Sequence, residues 1–180
     1  MSGLQDALQN AVRLLEAAGI DYMVIGGYAL PHFGRTRSTL DLDIAVRIED
    51  EASYDRFLRV AEEHGYTLSI CGFSNPVTLL VDRKVGLEVE FWTRPDGVEW
   101  GEEALRKRLR REYAGQGFWV ISPEDFIVSK LARPDREAED EADVASVITR
   151  MSGRLDEKYL MSRAERFGVW SLLEQIVARL

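Results

Sequence analysis

The run Leu40-Asp41-Leu42-Asp43-Ile44-Ala45-Val46-Arg47 alternates with the two-residue period of a β-strand. Leu40, Leu42, Ile44 and Val46 then share one face, and Asp41, Asp43 and Arg47 the other. Such a strand has one face for a core and one acidic face. A second run behaves alike, because Leu87, Val89 and Phe91 face one way and Glu88 and Glu90 the other. It is preceded by a strand at 77–81, and the Asp82-Arg83-Lys84-Val85-Gly86 connection is short enough for an antiparallel hairpin.

Around these strands the pattern turns helical. Apolar residues at 4, 7, 8, 11, 12, 14, 15 and 18 have the spacing of an amphipathic helix that stops at Gly19. Tyr22-Met23-Val24-Ile25 reads as a short strand broken by Gly26-Gly27, with a brief helix over 28–33 before Gly34. Residues 51–64 place Tyr54, Phe57, Leu58 and Ala61 on one helical side, with Gly65 as the stop. A helix is expected over 102–111 and a strand over 118–121. Ser122-Pro123-Glu124-Asp125 combines an N-cap serine, a first-turn proline and two first-turn acids, a helix start from which the chain stays mostly helical to Leu180. Strands early and helices late predict an α+β fold. Residues 1–121 are expected to form the α/β core and 122–180 a helical portion packed on it, as a single compact unit.

The 180 residues suit one domain, and 46% apolar content with a net charge of −8 describes a soluble acidic protein. No run approaches the roughly 20 apolar residues of a membrane span, and Met1-Ser2-Gly3-Leu4-Gln5-Asp6 has no basic segment leading into an apolar one. A cytoplasmic location without membrane association is therefore expected. Cys71 is the single cysteine and no Cys/His spacing suits zinc, which argues against disulfide and structural-zinc chemistry. The negative charge disfavours sequence-blind nucleic-acid binding. Arg106-Lys107-Arg108-Leu109-Arg110-Arg111 is the local exception: on a helix it can face an RNA acceptor or an acidic partner, or pair with surface acids.

Three features carry chemistry: Gly26-Gly27 after a strand, Arg37-Ser38-Thr39, and Asp41-x-Asp43. Two carboxylates two residues apart on one strand face repel each other unless they share a cation, and oxygen ligands suit Mg²⁺ or Mn²⁺. A glycine pair at a helix start leaves backbone N–H groups open to phosphate. Metal beside phosphate is what phosphoryl or nucleotidyl transfer requires. Glu88 and Glu90 both qualify as a third acid. His32 and His64 have no evident partner, though His32 is near enough to the glycine turn to approach a nucleobase.

Gly26-Gly27-Tyr28-Ala29-Leu30 and Gly34-Arg35-Thr36-Arg37-Ser38-Thr39-Leu40-Asp41-Leu42-Asp43 resemble the signature of minimal nucleotidyltransferases of the DNA polymerase β superfamily, nearest to its AbiEii-like, abortive-infection and toxin–antitoxin branch. Residues 120–131, ending in Lys130-Leu131, and Asp140-x-x-Asp143-Val144 extend the resemblance, which covers roughly 20–148. It implies a small mixed sheet flanked by helices with a helical C-terminal portion. It also implies Mg²⁺- or Mn²⁺-dependent transfer of an NMP from an NTP, ATP among the candidates, to a hydroxyl with release of pyrophosphate. Asp41, Asp43 and Glu90 would be catalytic and metal-binding, with Glu90 preferred because Val89-Glu90-Phe91-Trp92 resembles the family's Val-Asp-Phe-Leu segment. Gly26, Gly27, Arg37, Thr39 and Lys130 would bind nucleotide. By its residues alone, Lys130 reads equally as a solvated helix lysine, and Arg37 as a clamp on Asp41. Asp140 and Asp143 read as an exposed acidic helix face. Gly27, where many relatives have Ser, and a third Glu in place of Asp leave open a degenerate module that binds nucleotide or a partner without catalysis. The acceptor is tRNA, a protein or a small molecule. An antitoxin partner is compatible with the resemblance, and the apolar residues after Asp156 offer surface for a core or a homodimer.

Overall fold

The computed structural model describes residues 2–180. Among them it holds a seven-stranded mixed sheet and eight α-helices, an α+β fold as the pattern of strands and helices predicts. The chain divides into two units, one made of residues up to Tyr28, Ser38–Pro95 and Arg110–Val120, the other of Ala29–Arg37, Asp96–Leu109 and Ile121–Leu180.

The first unit carries α1 (Ser2–Ala18), β1 (Tyr22–Val24), the start of α2 (Gly26–Ala29), β2 (Asp43–Val46), α3 (Glu51–Glu63), β3 (Tyr66–Ile70), β4 (Val77–Asp82), β5 (Leu87–Trp92), nearly all of β6 (Leu109–Tyr113) and β7 (Gln116–Val120). The sheet order is β3-β4-β5-β2-β1-β7-β6. β2 runs parallel to β5 and antiparallel to β1, whereas β4 is antiparallel to both its neighbours. One face of the blade is dry: Thr78, Leu80 and Asp82 of β4 and Val89 and Phe91 of β5 are buried. Phe57 of α3 meets Phe91 edge-on at 5.3 Å between ring centres. The alternate residues Val77, Leu79, Val81, Glu90 and Trp92 are only half-buried, and Glu88 is exposed. This blade therefore has one core face and one open face, which is what two-residue alternation requires.

Four details depart from the sequence reading. Leu40 does not join the core face; it is 87% exposed, because pairing begins only at Asp43. The helix after the glycines starts on Gly26 itself and passes into a 3-10 turn at Leu30–His32. Residues 66–70 form the edge strand β3, whose mostly exposed side chains left no burial pattern to read. The basic run is not one helix: α4 (Glu102–Lys107) stops at Arg108, whose extended backbone (ψ 142) leads into β6. Ala114 and Gly115, both at positive φ, lie between β6 and β7, and the Arg110 guanidinium lies 5.0 Å over the Trp119 ring. A hairpin pairing at this edge outweighs the helical charge pattern.

The second unit adds α4, α5 (Pro123–Ala132), α6 (Ala138–Arg150), α7 (Glu157–Arg166) and α8 (Trp170–Val177). Ser122 is the N-cap of α5 and its Oγ accepts from Asp125 N at 3.0 Å, as the serine-proline start predicts. Asp125 is 1% exposed, and it accepts hydrogen bonds from Tyr159 Oη (2.9 Å), Arg163 Nε (3.0 Å) and Ser122 Oγ (3.2 Å). Arg163 also donates to Glu99 Oε2 at 2.8 Å, so two ion pairs of Arg163 tie the 96–109 segment to α5 and α7. Among the late apolar residues, Leu173 and Ile176 are buried while Val177 and Leu180 are exposed.

Removing Asp125 leaves Arg163 buried without its main counter-charge, which costs about 3 kcal/mol or more. Asp125→Ala is expected to lower the urea-unfolding free energy by that amount. A loss under about 1 kcal/mol would show that the Asp125–Arg163 pair is not holding the unit together.

Candidate active site

Parallel pairing of β2 and β5 sets Asp43 directly beside Glu90, with Glu90 N donating to Leu42 O at 3.0 Å. Both side chains rise from the open face of the blade. Glu88, the other sequence candidate, faces Val81 instead and is exposed. β1 flanks β2 on its other side, and Ile25 N donates to Asp43 O at 3.0 Å, which brings the glycine turn over the same carboxylate. Gly26 has φ +63, and a Cβ built on it would lie 2.9 Å from Asp43 Cγ. Only glycine accommodates both the left-handed backbone and that approach.

Trp92, not singled out by the sequence reading, completes the cluster. Its indole Nε1 donates to Glu90 Oε2 at 3.1 Å and Asp43 Oδ1 at 3.4 Å. The signal was present in the alternation, which places Trp92 on the same face as Glu88 and Glu90. Burial, and the Asp43 charge and hydrogen bond beside it, push the Glu90 carboxyl up to about 7; the Asp41 charge adds a smaller push and the Trp92 hydrogen bond opposes it. Asp41 is exposed, and Thr39 Oγ1 donates to its carbonyl at 3.3 Å. Among the described residues no three His, Cys, Asp or Glu side chains stand close enough to form a ready-made metal set. The residues that fit a divalent cation are the hydrogen-bonded pair Asp43 and Glu90; Asp41 lies two positions upstream, before β2 begins, and its charge also acts on Glu90.

Lys130 and Arg37 belong to the second unit, in a buried charge network. Lys130 is 6% exposed and lies 2.8 Å from Asp140 Oδ1 and 3.4 Å from Asp143 Oδ2. Asp143 is fully buried and also takes Arg35 Nε at 2.8 Å and Arg37 Nε at 3.3 Å. Asp140 caps α6 by accepting from Glu137 N at 3.1 Å. Burial acts to raise its carboxyl, but hydrogen bonds from Lys130 and the Glu137 N–H outweigh this and hold it below the usual range. Asp140 and Asp143 are thus counter-ions inside the unit, not an exposed acidic face. Their spacing in sequence could not show this, because the cations arrive from residues 35, 37 and 130. His64 is occupied locally, its Nδ1 lying 2.8 Å from Val60 O.

A carboxyl whose folded-state pKa is raised loses stability as pH climbs from its ordinary range near 4.5 to about 7. Glu90→Gln relieves that repulsion and is expected to stabilise the metal-free protein by about 1 kcal/mol at pH 8, after discounting for solvent screening. The gain should fall to about a quarter of that at pH 5. Thermal denaturation at both pH values checks it, and an equal gain at pH 5 would contradict the charge argument.

Comparison with known proteins places the chain in a family. A family model described as "Nucleotidyl transferase of unknown function (DUF2204)" matches residues 4–179. No curated protein sequence matches significantly. Among solved structures, an antigenic nucleotidyltransferase-like protein from Paracoccidioides brasiliensis aligns with TM-score 0.57 at 18% identity over 97% of this chain and 93% of that one. The lincosamide antibiotic adenylyltransferase LnuA, bound to lincomycin, aligns with TM-score 0.52 at 16% identity over 78% and 93%. ANT(2")-Ia in complex with adenylyl-2"-tobramycin gives TM-score 0.54 at 14% identity over 90% and 95%. At these identities the structures report a shared fold, while the family match spans nearly the whole chain. The protein with the Asp43–Glu90 pair at the centre of its sheet therefore belongs to the DUF2204 family of nucleotidyl transferases.

Proposed function

We propose that the protein transfers an NMP from an NTP to a hydroxyl acceptor and releases pyrophosphate, using a divalent cation, Mg²⁺ or Mn²⁺, held by Asp41, Asp43 and Glu90. The observation that carries this reading is the in-register Asp43–Glu90 pair with Gly26 pressed against it. Bound there, the cation would offset the carboxylate repulsion and neutralise charge on the triphosphate. Gly26 and Gly27 keep the main chain bare on the Asp43 side, where a triphosphate needs backbone donors and no side chains. Glu90, on the far side of the pair, is the group that receives the acceptor proton. Trp92 orients both carboxylates by donating to each.

Thr39, Arg37 and Lys130 are assigned to the nucleotide from the family resemblance. Because Arg37 and Lys130 already neutralise Asp143 and Asp140, a phosphate would compete with those acids for them. The motif match to the AbiEii-like branch supports a toxin–antitoxin or antiphage role. A second reading, a module that binds nucleotide without turnover, draws support from Asp41 standing exposed and apart from any three-acid cluster.

Pyrophosphate release in Mg²⁺ with each of the four NTPs, and with pooled RNA, protein and small molecules as acceptors, separates these readings. Asp43→Asn is expected to lower the rate on the order of 10²-fold or more, the usual loss when a charge-stabilising group is removed. Release unaffected by the substitution would sink the mechanism. NTP binding without release for any pool would favour the binding module. If the toxin reading holds, induced expression arrests growth with the wild-type chain and not with Asp43→Asn.

A further inference from the structure

The strand register that joins Asp43 to Glu90 continues outward. Glu90 pairs with Leu79 of β4, and Leu79 with Ile70 of β3, so Asp43, Glu90, Leu79 and Ile70 form one row across four strands. Beside this row on the same face stand Val77 and Val81, the β4 neighbours of Leu79, and Trp92, which pairs with Val77. Leu79, Val77, Val81 and Trp92 are half-buried and Ile70 is 51% exposed. An apolar shelf thus begins at the third acid and runs to the edge of the sheet. Adjacent strands lie ~4.8 Å apart, so it extends roughly 10 Å from Glu90.

In-line displacement fixes what this shelf faces. The incoming oxygen and the departing pyrophosphate lie on opposite sides of the α-phosphorus. With the triphosphate on the Gly26 and Asp43 side, the acceptor arrives from the other side of Glu90, over Leu79 and Ile70. The charge of the shelf limits what that acceptor is. Not one residue of β3, β4 or β5 is Lys or Arg. The nearby basic side chains lie outside these strands: Arg94 lies over the Phe73 ring and donates to Phe73 O, Arg83 donates to Gly65 O, and Lys84 is exposed between β4 and β5. On the shelf itself a polyanionic acceptor would meet Glu88 and Glu90 and no Lys or Arg from β3, β4 or β5 to neutralise its phosphates.

We infer that the acceptor is a small hydroxylated compound with an apolar or aromatic body, seated on the Leu79–Ile70 shelf with its hydroxyl at Glu90, and not an RNA. This inference rests on the proposed transfer reaction and on Glu90 as its acceptor-side acid. The acceptor oxygen forms a bond to the α-phosphorus and the bond from that phosphorus to pyrophosphate breaks. The hydroxyl proton passes to the Glu90 carboxylate and on to solvent. Leu79 is a specificity-determining residue in this arrangement, because it touches the acceptor body and none of the reacting atoms.

The test measures pyrophosphate release in Mg²⁺ and the best NTP with four probes: phenylethanol, naphthylethanol, glycerol, and a short single-stranded oligoribonucleotide with a free 3′ hydroxyl. Binding of a fluorescent NTP is followed in parallel. The expected result is release stimulated by the aryl alcohols, more by naphthyl than by phenyl, and by neither glycerol nor the oligoribonucleotide. Leu79→Arg should raise the KM for naphthylethanol about tenfold with NTP affinity unchanged, and Leu79→Met should restore it. Release with the oligoribonucleotide alone would overturn the inference and leave the transfer reaction standing. Stimulation by aryl alcohols that Leu79→Arg does not alter would also overturn it. No release with any probe, together with no NTP binding, would overturn the inference and the transfer reaction together.

Discussion

The parallel pairing of β2 with β5 is the constraint from which the rest of the first unit follows. It puts two carboxylates, Asp43 and Glu90, side by side in the middle of a sheet whose opposite face is closed by Phe57, Phe91, Leu80 and Val89. Two adjacent acids on a half-buried surface carry an electrostatic cost that nothing in ordinary core packing relieves. The indole of Trp92 offsets part of it by donating to both. Gly26 is free of a side chain because the Asp43 carboxylate occupies the space where one would stand. Under the proposed function, a divalent cation carrying a polyphosphate would offset that cost.

The second unit solves a similar problem by a different route. Asp140 and Asp143 are both buried, yet each has cations within hydrogen-bonding distance: Lys130 and Arg133 for Asp140, and Lys130, Arg35 and Arg37 for Asp143. Asp125 is likewise matched by Arg163. Buried acids with built-in counter-ions hold structure, while Asp43 and Glu90 lie against each other, share the Trp92 N–H, and leave the Glu90 carboxyl raised to about 7. That contrast is the physical basis for reading one cluster as scaffold and the other as a site.

Much of this was legible in the sequence, and the reasons differ by residue. Leu42, Ile44 and Val46, and Val89 and Phe91, alternate so regularly that their burial and the open side of Glu90 could be read directly. Ser122 and Pro123 announced the start of α5 because capping chemistry is local. The edge strands β3 and β6 were not legible, since exposed strands leave no burial pattern and the Arg110–Trp119 contact depends on a hairpin the charge run conceals. Leu40 misled because alternation continues past the point where pairing ends. The role of Trp92 and the counter-ion role of Asp143 depend on neighbours brought together by the fold, 49 residues apart for Trp92 and Asp43 and 108 for Arg35 and Asp143. Likewise, residues 29–37 and 96–109 join the helical unit through contacts that no contiguous boundary could indicate.

The most direct test of the central claim is a crystal structure with Mn²⁺ and an NTP analogue whose α–β bond resists cleavage, read by the anomalous signal of manganese. The account predicts a manganese peak ligated by both Asp43 and Glu90, with the triphosphate on the Gly26 side. Nucleotide bound elsewhere in the chain, with no manganese at that pair, would contradict it.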